Sequence, residues 1–206
     1  MGSQVLAVVV WRSRRLVMRQ AAAMRERTNL ARYFSPNMVE ELAQTDEPLG
    51  AVRQQDVAVL FIDKYLGDGL MATFGTPWPG PGDAADALSC GIAMAAELQR
   101  WNQGRQGTGA PAIAAGIGIH YGPVVVGDMG GEGALEFAVI GDSVNVAARL
   151  EALSRSLDAD LVISADLAAT AQAQGLGRAV LADFQAAPPQ TLRNRAAAVE
   201  ILCRRR

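Results

Sequence analysis

An α+β domain, a mixed sheet carrying helices on one face, is the fold class this sequence predicts, and three observations predict it. Apolar runs of strand length recur at 57–62, 70–74, 113–120, 124–128 and 135–140, parted by Gly-rich segments. Two longer stretches, 82–103 and 142–153, carry helical spacing between and after them. Half of the 206 residues are hydrophobic and 19% are charged, enough apolar side chain for a packed core.

Each element has its own warrant. In 82–103, Ala87, Leu88, Gly91, Met94, Ala95 and Leu98 fall on one helical face, with Asp83 as cap. The turns of "HYGP" and "GDMGG" part the central strands, so His120 ends a strand. In 142–153 Asp142 caps a second helix after Gly141. A short strand at 161–164, a short helix at 165–173 and closing strands at 178–184 and 198–202 complete the domain, which begins near Ala51. Ahead of it, 1–50 reads as a helical stalk. Residues 12–34 hold no Gly or Pro, and Val10, Val17, Met24 and Ala31 recur every seventh position, a seam suited to a parallel helix pair or to packing on the chain's own domain. "SPNMVEELAQ" restarts a helix with Ser35 as cap and Pro36 at its first position. The apolar run 6–11 before "RSRR" is far short of the about 20 residues a bilayer needs. It reads equally as the inner end of a membrane helix or as an ordinary linker.

Composition excludes several classes. Net charge is −2, so no broad basic surface points to nucleic acid. Cys90 and Cys203 lie far apart, which argues against a disulfide framework or a zinc site and for a reducing compartment. One histidine, His120, disfavours histidine metal sites and Ser-His-Asp hydrolysis. It reads as structural, as do Trp78 and Cys90.

Two segments carry chemistry. In "IDKYLGDG", Asp63 ends an apolar run and Asp68 stands between Gly67 and Gly69. Two carboxylates at adjacent strand ends can converge on a hard cation, glycines admit a phosphate close to the backbone, and Lys64 can meet a polar group. A plain β-hairpin turn accounts for the same residues. In "EFAVIGDSVNVAARLE", Asn145 and Arg149 share a helical face near the helix start, where a polyanion can be met. A solvated face of an amphipathic helix accounts for them equally.

Taken in order, "ARYFSPNMVEELA", "DKYLGDGLMATFG", "GIGIHYGPVVVGDMG" and "EFAVIGDSVNVAARLEALS" closely resemble the catalytic domain of class III nucleotidyl cyclases over most of 30–202. That resemblance implies a ferredoxin-like α+β unit acting as a head-to-tail homodimer, with two sites built from both chains. It implies that Asp63 and Asp68 hold two Mg²⁺ or Mn²⁺ ions and that ATP becomes cyclic AMP and pyrophosphate. Lys64 selects adenine, Asn145 orients the ribose, and Arg149 stabilises the transition state. Arg193, with Arg195 as the alternative, contacts phosphate. The implied setting is a cytoplasmic catalytic domain, with attachment to the inner membrane through an upstream membrane or sensor domain left open. Rival readings are a guanylate cyclase, against which Lys64 argues, and a catalytically silent cyclase-like module.

Two departures stand out. Ala138 occupies the position where the family usually places Asp or Thr to read the base. And roughly forty residues, about one crossover unit, are missing between Asp63 and Lys64, where the family has a phosphate-cradling loop and two helices. Asp63 is therefore either the first metal ligand or the aspartate commonly found just before "KYLGDG". Either a mobile segment is left out at this junction or the chain carries a true deletion. The mobile segment is the expectation, because a deletion would remove core-forming helices.

Overall fold

The chain divides between Gly50 and Ala51. The computed structural model describes residues 52–64, 69–106, 108–131, 134–191 and 198–205. The stalk expected over 1–50, with its seam and its membrane reading, lies outside them. No helix among the described residues is long and apolar enough to cross a membrane.

In chain order the elements are β1 (Arg53–Lys64), β2 (Gly69–Phe74), α1 (Asp83–Gln106), β3 (Ala115–Gly131), β4 (Ala134–Ile140), α2 (Asp142–Ser156), β5 (Ala159–Ser164), α3 (Ala165–Ala173), a 3-10 turn (Arg178–Leu181), β6 (Phe184–Gln190) and β7 (Val199–Arg205). The strands form one sheet in the order β2-β1-β3-β5-β7-β6, and β4 pairs with the far half of β3. β3 and β5 run parallel, and the other pairs are antiparallel.

Helices cover both faces of this sheet, which corrects the expectation of one covered face. On one side, α1 and α3 pack on Ala58, Leu60, Ile117, Ile119, Leu161 and Ile163. On the other, α2 sets Ala147 among Val57, Val59, Val124 and Val126, and sets Val146 and Leu150 against Val162, Ile201 and Cys203. The cause lies in β1. Val57, Ala58, Val59 and Leu60 are all fully buried, so consecutive side chains need apolar cover on opposite sides. Each large aliphatic side chain sealed this way contributes about 1.5–3 kcal/mol.

α1 begins at Asp83, whose Oδ2 accepts the Gly80 N–H at 2.6 Å. Its inner face is Ala84, Ala87, Leu88, Gly91 and Ala95, with Met94 and Leu98 half-buried. Small residues there let the helix ride close to the sheet: a Cβ on Gly91 would lie 2.6 Å from Ile119 Cδ1.

β3 does not break at "HYGP". It runs straight from Ala115 to Gly131, and His120 lies mid-strand. His120 is buried, its Nδ1 2.8 Å from Ser164 Oγ, and Ser164 caps α3 by accepting the Leu167 N–H. Pro123 is tolerated because it falls between the stretch of β3 paired with β5 (117–119) and the stretch paired with β4 (125–131). One edge of β3 has no strand beside it there, so a missing N–H costs no ladder bond on that side. The strand expected at 178–184 is likewise corrected. A 3-10 turn with no buried residue fills 178–181, and β6 starts at Phe184.

Across the junction after Asp63, β1 is unbroken, and its register against β3 continues through Asp63↔Gly116 to Lys64↔Ala115. β1 and β2 are antiparallel, with Asp63 paired to Gly69, and residues 65–68 between them lie outside the described residues.

Candidate active site

Asp63 sits one residue from the end of β1, and both of its cross-strand neighbours are glycines, Gly69 on β2 and Gly116 on β3. A Cβ on Gly69 would lie 3.7 Å from Asp63 Cγ, and one on Gly116 would lie 2.9 Å from Glu151 Oε1. Asp63 therefore lies in a glycine trough, flanked on both strands by backbone without side chains, with Ser154 and Glu151 lying over Gly116. Asp63 Oδ1 is buried and has no hydrogen-bond partner among the described residues. A buried carboxylate oxygen left so is costly unless a donor or cation answers it, and an oxygen donor of this type suits Mg²⁺ or Mn²⁺. The residues present thus fit a divalent ion. Among the described residues no three His, Cys, Asp or Glu side chains converge. Asp68, the second expected ligand, lies outside the described residues. Lys64 is placed by its backbone alone, as the last residue of β1 opposite Ala115.

α2 carries the other half. Gly141, in extended backbone, takes the cap position without a side-chain cap bond. Asp142 is instead the first helical residue, where a carboxylate suits the helix dipole. This corrects the expectation that Asp142 is the cap. Ser143, Val146, Ala147, Leu150 and Ser154 face the sheet. Asn145 is exposed and Arg149 half-buried. At 3.6 residues per turn both fall on the side turned away from the sheet. Asp63, by contrast, lies on the sheet beside the helix's inner face. One chain therefore presents the two halves of the expected chemistry on opposite sides of α2.

The seat of α2 is fixed by glycines in β3. A Cβ on Gly118 would overlap the backbone of Ala147 and Glu151, reaching within 2.7 Å of Glu151 Cα. A Cβ on Gly122 would come within 2.7 Å of Ser143 Oγ, which donates to the Pro123 carbonyl at 2.8 Å. Helix backbone lies on strand backbone, with no side chain between.

Ala138 lies in β4 opposite Gly127, half-buried. Its methyl group offers a base neither donor nor acceptor. Arg193 and Arg195 lie outside the described residues. Sequence reasoning passed over Glu151 and Ser154. Burial pushes the Glu151 carboxyl up, the Asp63 charge adds to this, and Arg155 opposes it. Ser154 is fully buried and its Oγ has no partner. A serine at an inward position, over the alternating glycines of "GIGIHYG", was the available signal.

The fold is similar to that of a bacterial light-regulated adenylyl cyclase, with a TM-score of 0.68 and 22% identity over 90% of this chain and 62% of that one. It is also similar to the adenylyl cyclase CyaB from P. aeruginosa, with a TM-score of 0.58 and 20% identity over 75% of this chain and 95% of that one. Among curated proteins, an adenylate cyclase of Anabaena cylindrica is 41% identical over 113 residues, 53% of this chain. Adenylate cyclase 1 of Rhizobium meliloti is 31% identical over 103 residues, 50% of this chain. The matches span only 22% and 16% of those two relatives. The sequence model for the adenylate and guanylate cyclase catalytic domain matches residues 46–174, more than half of the chain, and the chain belongs to that family.

Proposed function

We propose that this domain converts ATP to 3′,5′-cyclic AMP and pyrophosphate at sites shared between two copies of the chain. The observation that carries this reading is the unpartnered Asp63 Oδ1 in its glycine trough, set apart from the outward Asn145–Arg149 pair. Asp63 of one copy and Asn145 with Arg149 of the other then form one site. Asp63 and, by family resemblance, Asp68 would hold the divalent ions, which when bound favour the ribose 3′-alkoxide and neutralise the triphosphate.

The chain's own residues do the rest. The Asn145 amide orients the ribose so that its 3′-oxygen lies in line with the α-phosphorus. The new bond is 3′-O to Pα and the broken bond is Pα to the bridging oxygen of pyrophosphate. The 3′-hydroxyl proton is lost to solvent. Negative charge grows on the bridging and non-bridging oxygens, and the Arg149 guanidinium donates to them. Lys64 reads the adenine edge, and Arg193 or Arg195 meets phosphate.

The unbroken β1 favours a second reading, since the crossover absent after Asp63 is where the family keeps its phosphate-cradling loop. On that reading the chain binds nucleotide and dimerises without turnover. Incubating the purified chain with ATP or GTP and either Mn²⁺ or Mg²⁺, and measuring cyclic nucleotide, separates the two. Cyclic AMP from ATP, lost in Asp68→Ala with the melting temperature unchanged, is the expected result. Nucleotide binding with no cyclic product would establish the silent module, and product from GTP in preference to ATP would establish a guanylate cyclase.

A further inference from the structure

We propose that Glu151 completes the cation site of Asp63 from within the same subunit, with Ser154 as the residue that positions it. This rests on the reading that the domain works with divalent ions.

Gly116 is directly opposite Asp63 in the β1–β3 ladder, so the Asp63 Cβ lies about 5 Å from the point where a Gly116 Cβ would be. That point is occupied from above by α2. Ser154 Oγ overlaps it, Ser154 Cβ lies 2.8 Å from it and Glu151 Oε1 lies 2.9 Å from it. Ser154 and Glu151 thus crowd Gly116, with Asp63 directly across from it on β1. Among the described residues, Asp63 Oδ1 and Ser154 Oγ are buried without a hydrogen-bond partner. Ser154 is fully buried, so water does not reach its hydroxyl from bulk solvent.

Asp63 and Glu151 thus approach the same glycine from a strand and a helix, with unanswered polar atoms beside them, and a cation would answer both charges. A hard cation wants several oxygens, and an aspartate, a glutamate and a seryl oxygen offer them. The Ser154 hydroxyl can donate to a carboxylate and fix its rotamer, as groups behind a metal ligand do.

Mn²⁺ titration of the full 206-residue chain, followed by the electron paramagnetic resonance of free Mn²⁺, tests this without any turnover. The wild type should bind. Glu151→Gln, of unchanged shape, should bind about 10–100-fold more weakly, the range seen when the support of a metal site is removed. In EDTA the same variant should melt at or above the wild-type temperature, because a carboxylate repulsion has gone. Glu151→Asp, which keeps the charge, should recover part of the affinity. Wild-type affinity in Glu151→Gln would overturn the inference while leaving the cyclase reading intact. So would a fall in melting temperature without a fall in affinity, which marks a structural role only. No Mn²⁺ bound by the wild type, with or without ATP, would remove the two-metal reading and this inference together.

Discussion

Arg149 sets the energetic scale at the level of single residues. It is half-buried on the outward side of α2, so its removal leaves the packed face of Val146, Ala147 and Leu150 untouched. A guanidinium that answers charge appearing only in the transition state acts on the rate of chemistry. Arg149→Ala should therefore lower kcat about 10²–10³-fold, the loss typical for one such donor, with little change in KM. Steady-state kinetics beside a melting curve checks both halves; an equal fall in stability would make Arg149 a structural residue. Ala138 calls for the opposite experiment. If Ala138 stands where the base is read, its methyl group leaves discrimination to Lys64 and to backbone groups. Ala138→Thr restores a hydroxyl, and one polar readout is worth about 1–3 kcal/mol. The ratio of kcat/KM for ATP to that for GTP should rise about tenfold, and an unchanged ratio would place the base elsewhere.

The decisive contact among the elements is α2 on β3. Gly118 has the helix backbone of Ala147 and Glu151 where its side chain would be, and backbone cannot step aside. Gly118→Ala should lift α2, cost about 1–3 kcal/mol or more as overpacking does, and reduce activity further by displacing Asn145 and Arg149. Thermal denaturation with a cyclic AMP assay reads both effects, whereas Gly109→Ala, with open space around it but positive φ, should cost only local strain. These same elements show what was legible beforehand. Residues 82–103 and 142–153 were readable as helices because one face of each is apolar over several turns, and 70–74 as a strand because it is short and bounded by glycine. The course of β3 was not readable, since Gly122 and Pro123 are turn residues in isolation and only the neighbouring strands decide that the chain runs on. The two-sided cover of the sheet was in fact written in the unalternated Val57–Leu60 run. The Asn145–Arg149 pair and Asp63 were visible as residue types in order. The glycines around Asp63 and the approach of Glu151 were not, because they depend on cross-strand register.

On the proposed reading, Asp63 and the Asn145–Arg149 pair are two half-sites, which a single chain presents on opposite sides of one helix. If two copies meet head to tail, each composite site takes Asp63 from one and Arg149 from the other. A dimer of Asp63→Asn chains then has two dead sites, and so does a dimer of Arg149→Ala chains. Mixed dimers differ: one site collects both defects and the other collects neither. Unfolding the two inactive variants together and refolding them, or co-expressing them, should therefore restore cyclic AMP formation that neither shows alone. Activity should vary with the mixing ratio and peak near equal amounts, and sedimentation should show the mixed sample to be dimeric. The arithmetic is unforgiving to the alternative. If Asp63 and Arg149 served a site within one chain, every chain in the mixture would carry a defect, and no ratio would recover activity.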